Sequence, residues 1–176
     1  MGTQPEPTQQ ARQSQTNRKK PTIRVDADAC PAVVRHIIER VARKRHMDLI
    51  FYIDENHELY PSYGRVEQVG QGHDAVDLAL INDVVSGDVV VTQDYGLAAL
   101  VLARRAEAIH PGGRIFNDKN IDQLLFERHL SAKARQAGQR MVNPKRRRTE
   151  EDKSFEEQLC LILDRLTQSQ PPAQDE

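Results

Sequence analysis

Cysteine is nearly absent: Cys30 and Cys160 are the only two in 176 residues. They are too few and too far apart in sequence for a disulfide framework or a cysteine-ligated zinc site, so both are expected to be reduced thiols. Also missing is any apolar run near the ~20 residues that a membrane-spanning helix needs. The N-terminus lacks the apolar core of a secretory signal, and Glu6 stands where a myristoylation motif wants Ser or Thr. These absences point to a cytoplasmic protein with no membrane partner. Strong net charge is lacking as well: the formal value is -1, with 38% hydrophobic and 29% charged residues, an ordinary globular composition. The length suits one domain with tails, and there is no internal repeat.

Along the chain, strand-like and helix-like patterns alternate. Residues 1–21 contain no Val, Ile or Leu and read as a disordered tail. Thr22–Asp26 (TIRVD) reads as a short strand. Pro31 then opens a segment whose Val33, Val34, Ile37, Ile38, Val41 and Ala42 form the stripe of an amphipathic helix. LIFYI at 49–53 and RVEQV at 65–69 read as strands, Asp74–Val85 as a helix, and VVV at 89–91 as a buried strand after the Ser86-Gly87-Asp88 turn. Asp83 and Asp88 look like surface and turn residues. Leu97–Arg104 is Ala-rich and favours helix, and another helix is expected near 118–130 after the Pro111-Gly112-Gly113 loop. Residues 138–153 read as an exposed linker. A closing helix at 153–166 carries Phe155, Leu159, Ile162, Leu163 and Leu166 on one stripe, to dock on the core or on a second subunit, which makes a homodimer an expectation. Residues 167–176 read as a second disordered tail. The alternation predicts an α/β fold, a mainly parallel central sheet flanked by helices, over residues 22–166.

Ligands of such sheets sit outside the carboxyl ends of the strands, where this sequence places aspartates. Asp26 and Asp28 follow the first strand, and Asp94 follows VVV. Asp74 and Asp77 stand three apart at a helix start, on one side of it. Brought together, these carboxylates would repel one another by about 4 kcal/mol per pair at ~4 Å and an effective dielectric near 20. A bound Mg²⁺ or Mn²⁺ removes that repulsion, and hard cations of this kind organise phosphodiester hydrolysis. Asp26, Asp74, Asp77 and Asp94 are the expected ligands, with Asp28 beside them as a further catalytic candidate. The competing reading is helix capping, in which each carboxylate merely accepts free N–H groups.

The basic residues are concentrated elsewhere. Arg128, Lys133, Arg135, Arg140, Lys145, Arg146, Arg147 and Arg148 fall within one stretch that has no acidic residue. Cations along a groove neutralise phosphates without reading sequence, so Arg128, His129, Lys133, Arg135 and Lys145 to Arg148 are expected to contact nucleic acid, RNA above all. The plainer alternative is a solvated charge run. Tyr95 is either a stacking platform for a base or a packed aromatic. His110 is either an acid–base group or a loop residue, and Cys30 either a redox thiol or a small buried side chain.

VDADACP at 25–31, GQGHDAVD at 70–77, GDVVVTQDYGLAAL at 87–100 and RHLSAKARQAG at 128–138 together resemble the YaiI/YqxD family of bacterial proteins, from about Ile23 to Leu166. That resemblance implies a PIN-like, three-layer α/β/α fold. Thr92, Asp94 and Leu97 are similar to the third acidic motif of PIN domains, Asp26 to the first, and Asp74 or Asp77 to the helical one. A metal-dependent nuclease acting on RNA or single-stranded nucleic acid is the implied activity. The alternative is a non-catalytic nucleic-acid-binding adaptor on the same fold. A phosphatase of the haloacid-dehalogenase type, suggested by Asp26-x-Asp28, fits less well because Ala29 and Cys30 break its motif and no matching Lys motif is evident.

Overall fold

The computed structural model describes residues 20–70, 72, 74–136 and 148–168. Six strands and five helices follow one another as β1 (Ile23–Asp26), α1 (Ala32–Arg45), β2 (Leu49–Asp54), β3 (Arg65–Val69), α2 (Ala75–Asp83), β4 (Val89–Val91), α3 (Tyr95–Ala103), β5 (Glu107–Ile109), β6 (Ile115–Phe116), α4 (Ile121–Gln136) and α5 (Thr149–Gln168). The strands form one sheet in the order β3-β2-β1-β4-β5-β6. All neighbours run parallel except β5 and β6.

Period-two alternation along the strands divides the core between the two faces of the sheet. Ile23, Val25, Phe51, Ile53, Val89 and Val91 face a layer made of α1 and α5. Ile50, Tyr52, Val90 and Ala108 face α2, α3 and α4. The result is the three-layer α/β/α arrangement that the alternation of elements predicts.

Helix α5 docks within the chain: Phe155, Leu159, Ile162 and Leu163 are buried beside Val34, Ile38 and Val41 of α1. Of the two placements open for its stripe, the core is the one used, so the stripe no longer argues for a homodimer. Gly113, at φ +88°, seats the start of this helix, because a Cβ there would lie 2.8 Å from Ser154 Oγ.

Several boundaries differ from the sequence reading. Helix α5 begins at Thr149 and includes Thr167 and Gln168, which had the look of linker and tail. Pro21 is buried rather than part of a tail. Lys20 is exposed, and residues 1–19 and 169–176 of the expected tails, with Lys145, Arg146 and Arg147, lie outside the described residues. Helix α4 starts at Ile121 and runs on to Gln136, so His129, Lys133 and Arg135 are helical. Strands β5 and β6 have only three and two residues, too few to show a pattern.

Asp88 is a correction: it is buried at 2% exposure rather than a surface turn residue. Its carboxylate accepts the Thr22 N–H at 3.0 Å and Arg24 Nε at 2.8 Å. Arg24 Nη1 donates to the Tyr52 hydroxyl at 2.6 Å, which donates to Asp83 at 2.8 Å. A buried cation paired in this way ties β1 to the start of β4. Among the described residues, no helix is long and apolar enough to cross a membrane.

Candidate functional site

After β1 the chain builds outward through β2 to β3, then returns to lay β4 on the other side of β1. The connections diverge between β1 and β4, and their carboxyl ends open a crevice of the kind where ligands bind in open α/β sheets. Asp26 ends β1 and is 8% exposed. Its Oδ2 accepts the Thr92 hydroxyl at 2.9 Å. The same hydroxyl oxygen accepts the Asp94 N–H at 3.0 Å, so Thr92 fixes Asp26 and the turn after β4 to one another.

Asp94 caps α3, its Oδ1 accepting the Leu97 N–H at 2.8 Å. Gly96 leaves room for this carboxylate, since a Cβ there would stand 3.0 Å from Oδ1. The other oxygen, Oδ2, accepts Arg128 Nη1 from α4 at 2.6 Å. The capping reading and the site reading therefore both describe Asp94. They part at Asp74, which occupies the N-cap position of α2 without a side-chain cap bond.

The electrostatics bind these residues into one field. The Asp77 carboxyl, in the first turn of α2, is pushed up to about 6 by burial and by the charges of Asp26, Asp94 and Asp74, against a smaller opposing pull from Arg128. Asp26 is also raised, first by burial, then partly relieved by the Thr92 hydroxyl, with Asp28 and Asp94 adding repulsion. Burial pushes Asp94 the same way, but the Leu97 N–H and the Arg128 guanidinium outweigh it and hold the carboxyl below its ordinary value. The charges of Asp26, Asp74 and Asp94 thus all reach Asp77, although no three of these four carboxylates have oxygens within 4.8 Å of one another at the crevice. Its donors are hard oxygens carrying surplus negative charge, a set that suits Mg²⁺ or Mn²⁺.

Asp28 leans the other way, toward the end of β2. Its Oδ2 accepts the Asp54 N–H at 2.9 Å, and His57 Nδ1 lies 3.1 Å from its Oδ1 and 2.8 Å from Asp54 Oδ1. Among the described residues, Asp28, Asp54 and His57 are the group whose potential ligand atoms all lie within 4.8 Å of one another. Asp54 and His57 were not anticipated. The signal was present in Asp54, which ends the apolar run LIFYID at the same sheet edge as Asp26.

Of the basic candidates, Arg128 enters the crevice. His129, Lys133 and Arg135 lie on the exposed part of α4 beyond Leu124. Arg148 precedes α5 in the opposite layer, where its N–H donates to Glu151. Tyr95 packs edge-on against Phe116 at 5.6 Å between ring centroids, the packed alternative of its two readings. His110 Nδ1 accepts the Gly112 N–H at 2.8 Å, a turn-forming role. Cys30 is buried.

Residues 24–165 match the family described as "Uncharacterized BCR, YaiI/YqxD family". A UPF0178 protein of Clostridium tetani is 47% identical over 141 residues, covering 80% of this chain and 95% of the relative. One from Clostridium novyi is 53% identical over 130 residues, covering 74% and 85%. Another, from Exiguobacterium sibiricum, is 45% identical over 145 residues, covering 82% and 98%. No solved structure matches the chain. With this coverage and identity, the chain belongs to the YaiI/YqxD family.

Proposed function

We propose that this protein is a divalent-metal-dependent nuclease or phosphodiesterase acting on RNA or other single-stranded nucleic acid. The observation that supports the reading is the acidic field at the carboxyl ends of β1 and β4, where burial, together with the charges of Asp26, Asp94 and Asp74, raises Asp77 to about 6. Asp26, Asp77 and Asp94 would hold the ion, with Asp74 at its side. When bound, Mg²⁺ or Mn²⁺ supplies polarisation of a phosphoryl oxygen and a hydroxide at neutral pH.

The protein's own groups do the rest. Thr92 fixes the Asp26 carboxylate, and the Leu97 N–H fixes one oxygen of Asp94, so both keep their orientation as charge changes around them. The Asp54 N–H and His57 hold Asp28 at the crevice wall. Arg128, His129, Lys133 and Arg135 bind the phosphate backbone and lay the strand along α4.

A non-catalytic nucleic-acid-binding adaptor is the second reading. The observation in its favour is the Arg128–Asp94 pair, which gives Asp94 a counter-charge from the chain itself. Calorimetric titration with Mn²⁺ of the wild type, Asp26→Asn and Asp94→Asn, beside cleavage of a labelled single-stranded RNA, separates the two. The nuclease reading expects Mn²⁺ binding that weakens in both variants and cleavage that EDTA abolishes. RNA binding without cleavage, indifferent to EDTA and to Asp94→Asn, supports the adaptor. No Mn²⁺ binding at millimolar concentration sinks the nuclease.

A further inference from the structure

Resting on the metal-dependent reading of the crevice, we infer that Arg128 is a latch. Its guanidinium pairs with Asp94 in one state and with a nucleic-acid phosphate in the other, and a divalent cation at the acidic crevice drives the change.

Asp94 presents two oxygens with different duties. Oδ1 is fixed by the Leu97 N–H, so the carboxylate stays in place when its other partner leaves. Oδ2 holds Arg128 Nη1 at 2.6 Å and is the oxygen that a cation and the guanidinium would contest. The side chains are 51% and 31% exposed, so the pair is half-solvated and weak enough to exchange. Arg128 also lies close enough to Asp77 to oppose the repulsion there. A divalent ion in the crevice takes over that neutralisation and repels the guanidinium.

The freed group does not travel far. Arg128 shares the exposed part of α4 with His129, Lys133 and Arg135, where a backbone phosphate would run. Phosphate matches the guanidinium fork in two parallel hydrogen bonds, which one Asp94 oxygen does not provide. Cation and single strand therefore assist each other: each removes the partner that Arg128 and Asp94 offer one another, and linkage makes the assistance equal in both directions.

The test is Mn²⁺ titration by calorimetry of the full-length wild type, Arg128→Ala and Lys133→Ala, each with and without a short oligothymidylate. Lys133→Ala removes the same charge from the same helix without breaking the Asp94 pair. Arg128→Ala is expected to bind Mn²⁺ at least about threefold more tightly than wild type, and more tightly than Lys133→Ala. The oligothymidylate is expected to tighten Mn²⁺ binding to wild type by a larger factor than to Arg128→Ala, whose remaining gain is the direct contact of phosphate with the ion. If wild type and Arg128→Ala bind Mn²⁺ equally, or the oligothymidylate tightens binding in Arg128→Ala as much as in wild type, the latch alone is overturned. Absence of Mn²⁺ binding in every protein overturns the metal reading and the latch together.

Discussion

Asp77 holds a proton more firmly than an aspartate in water, and this has a sign. Its carboxyl is raised from 3.8 to about 6 by burial and by its acidic neighbours. Between those values the folded chain keeps a proton that the unfolded chain has released, so the contribution of Asp77 to stability falls as pH rises through the window. Above it the ionised group opposes folding fully. Asp77→Asn removes the charge and keeps the shape. Thermal unfolding is therefore expected to show a Tm gain of about 2–4 °C for Asp77→Asn at pH 7, shrinking toward zero near pH 4. A gain independent of pH would mean that repulsion in the crevice is not its source. The placement of Asp26, Asp74, Asp77 and Asp94 was legible in the sequence because strand ends and helix starts are written in local patterns. Asp54 and His57 were not, because their meeting with Asp28 depends on pairing. Parallel register sets Asp26 against Tyr52, which brings Asp28, two residues past the end of β1, to Asp54 at the end of β2.

At the scale of elements, α5 shows how far a stripe can be read. The spacing of Phe155, Leu159, Ile162 and Leu163 demanded a partner surface without specifying it, since a helix face looks the same whether it meets its own core or another chain. The structure supplies α1, with Arg45 and Asp164 paired at 2.5 Å across the contact. Leu159→Ala is expected to cost about 2–5 kcal/mol of unfolding free energy in a urea titration, by lost burial and the cavity left behind. A cost below about 1 kcal/mol, as at an exposed position, would show that α5 does not hold the core together. Strands β5 and β6 escaped the sequence reading for a different reason: a three-residue and a two-residue strand take their identity from their neighbours rather than from alternation.

Across the whole molecule, the near-neutral net charge conceals an acidic crevice with a basic helix arm beside it. Binding of a single strand to that arm should be largely electrostatic. With Arg128, Lys133 and Arg135 as the contacting cations, a logarithmic plot of affinity against salt is expected to fall with a slope of about -2 or steeper, read by fluorescence anisotropy. A flat plot would remove α4 as the strand's track. The strand order has a consequence in time as well as in space. Asp26 is synthesised before Asp94, and its crevice has no opposite wall until the chain has reached Asp94 and β4 has found its place beside β1. Nascent chains and fragments that stop short of that point carry the first carboxylate with nothing to work against, so whatever chemistry the crevice performs is silent until β4 and Asp94 have been made.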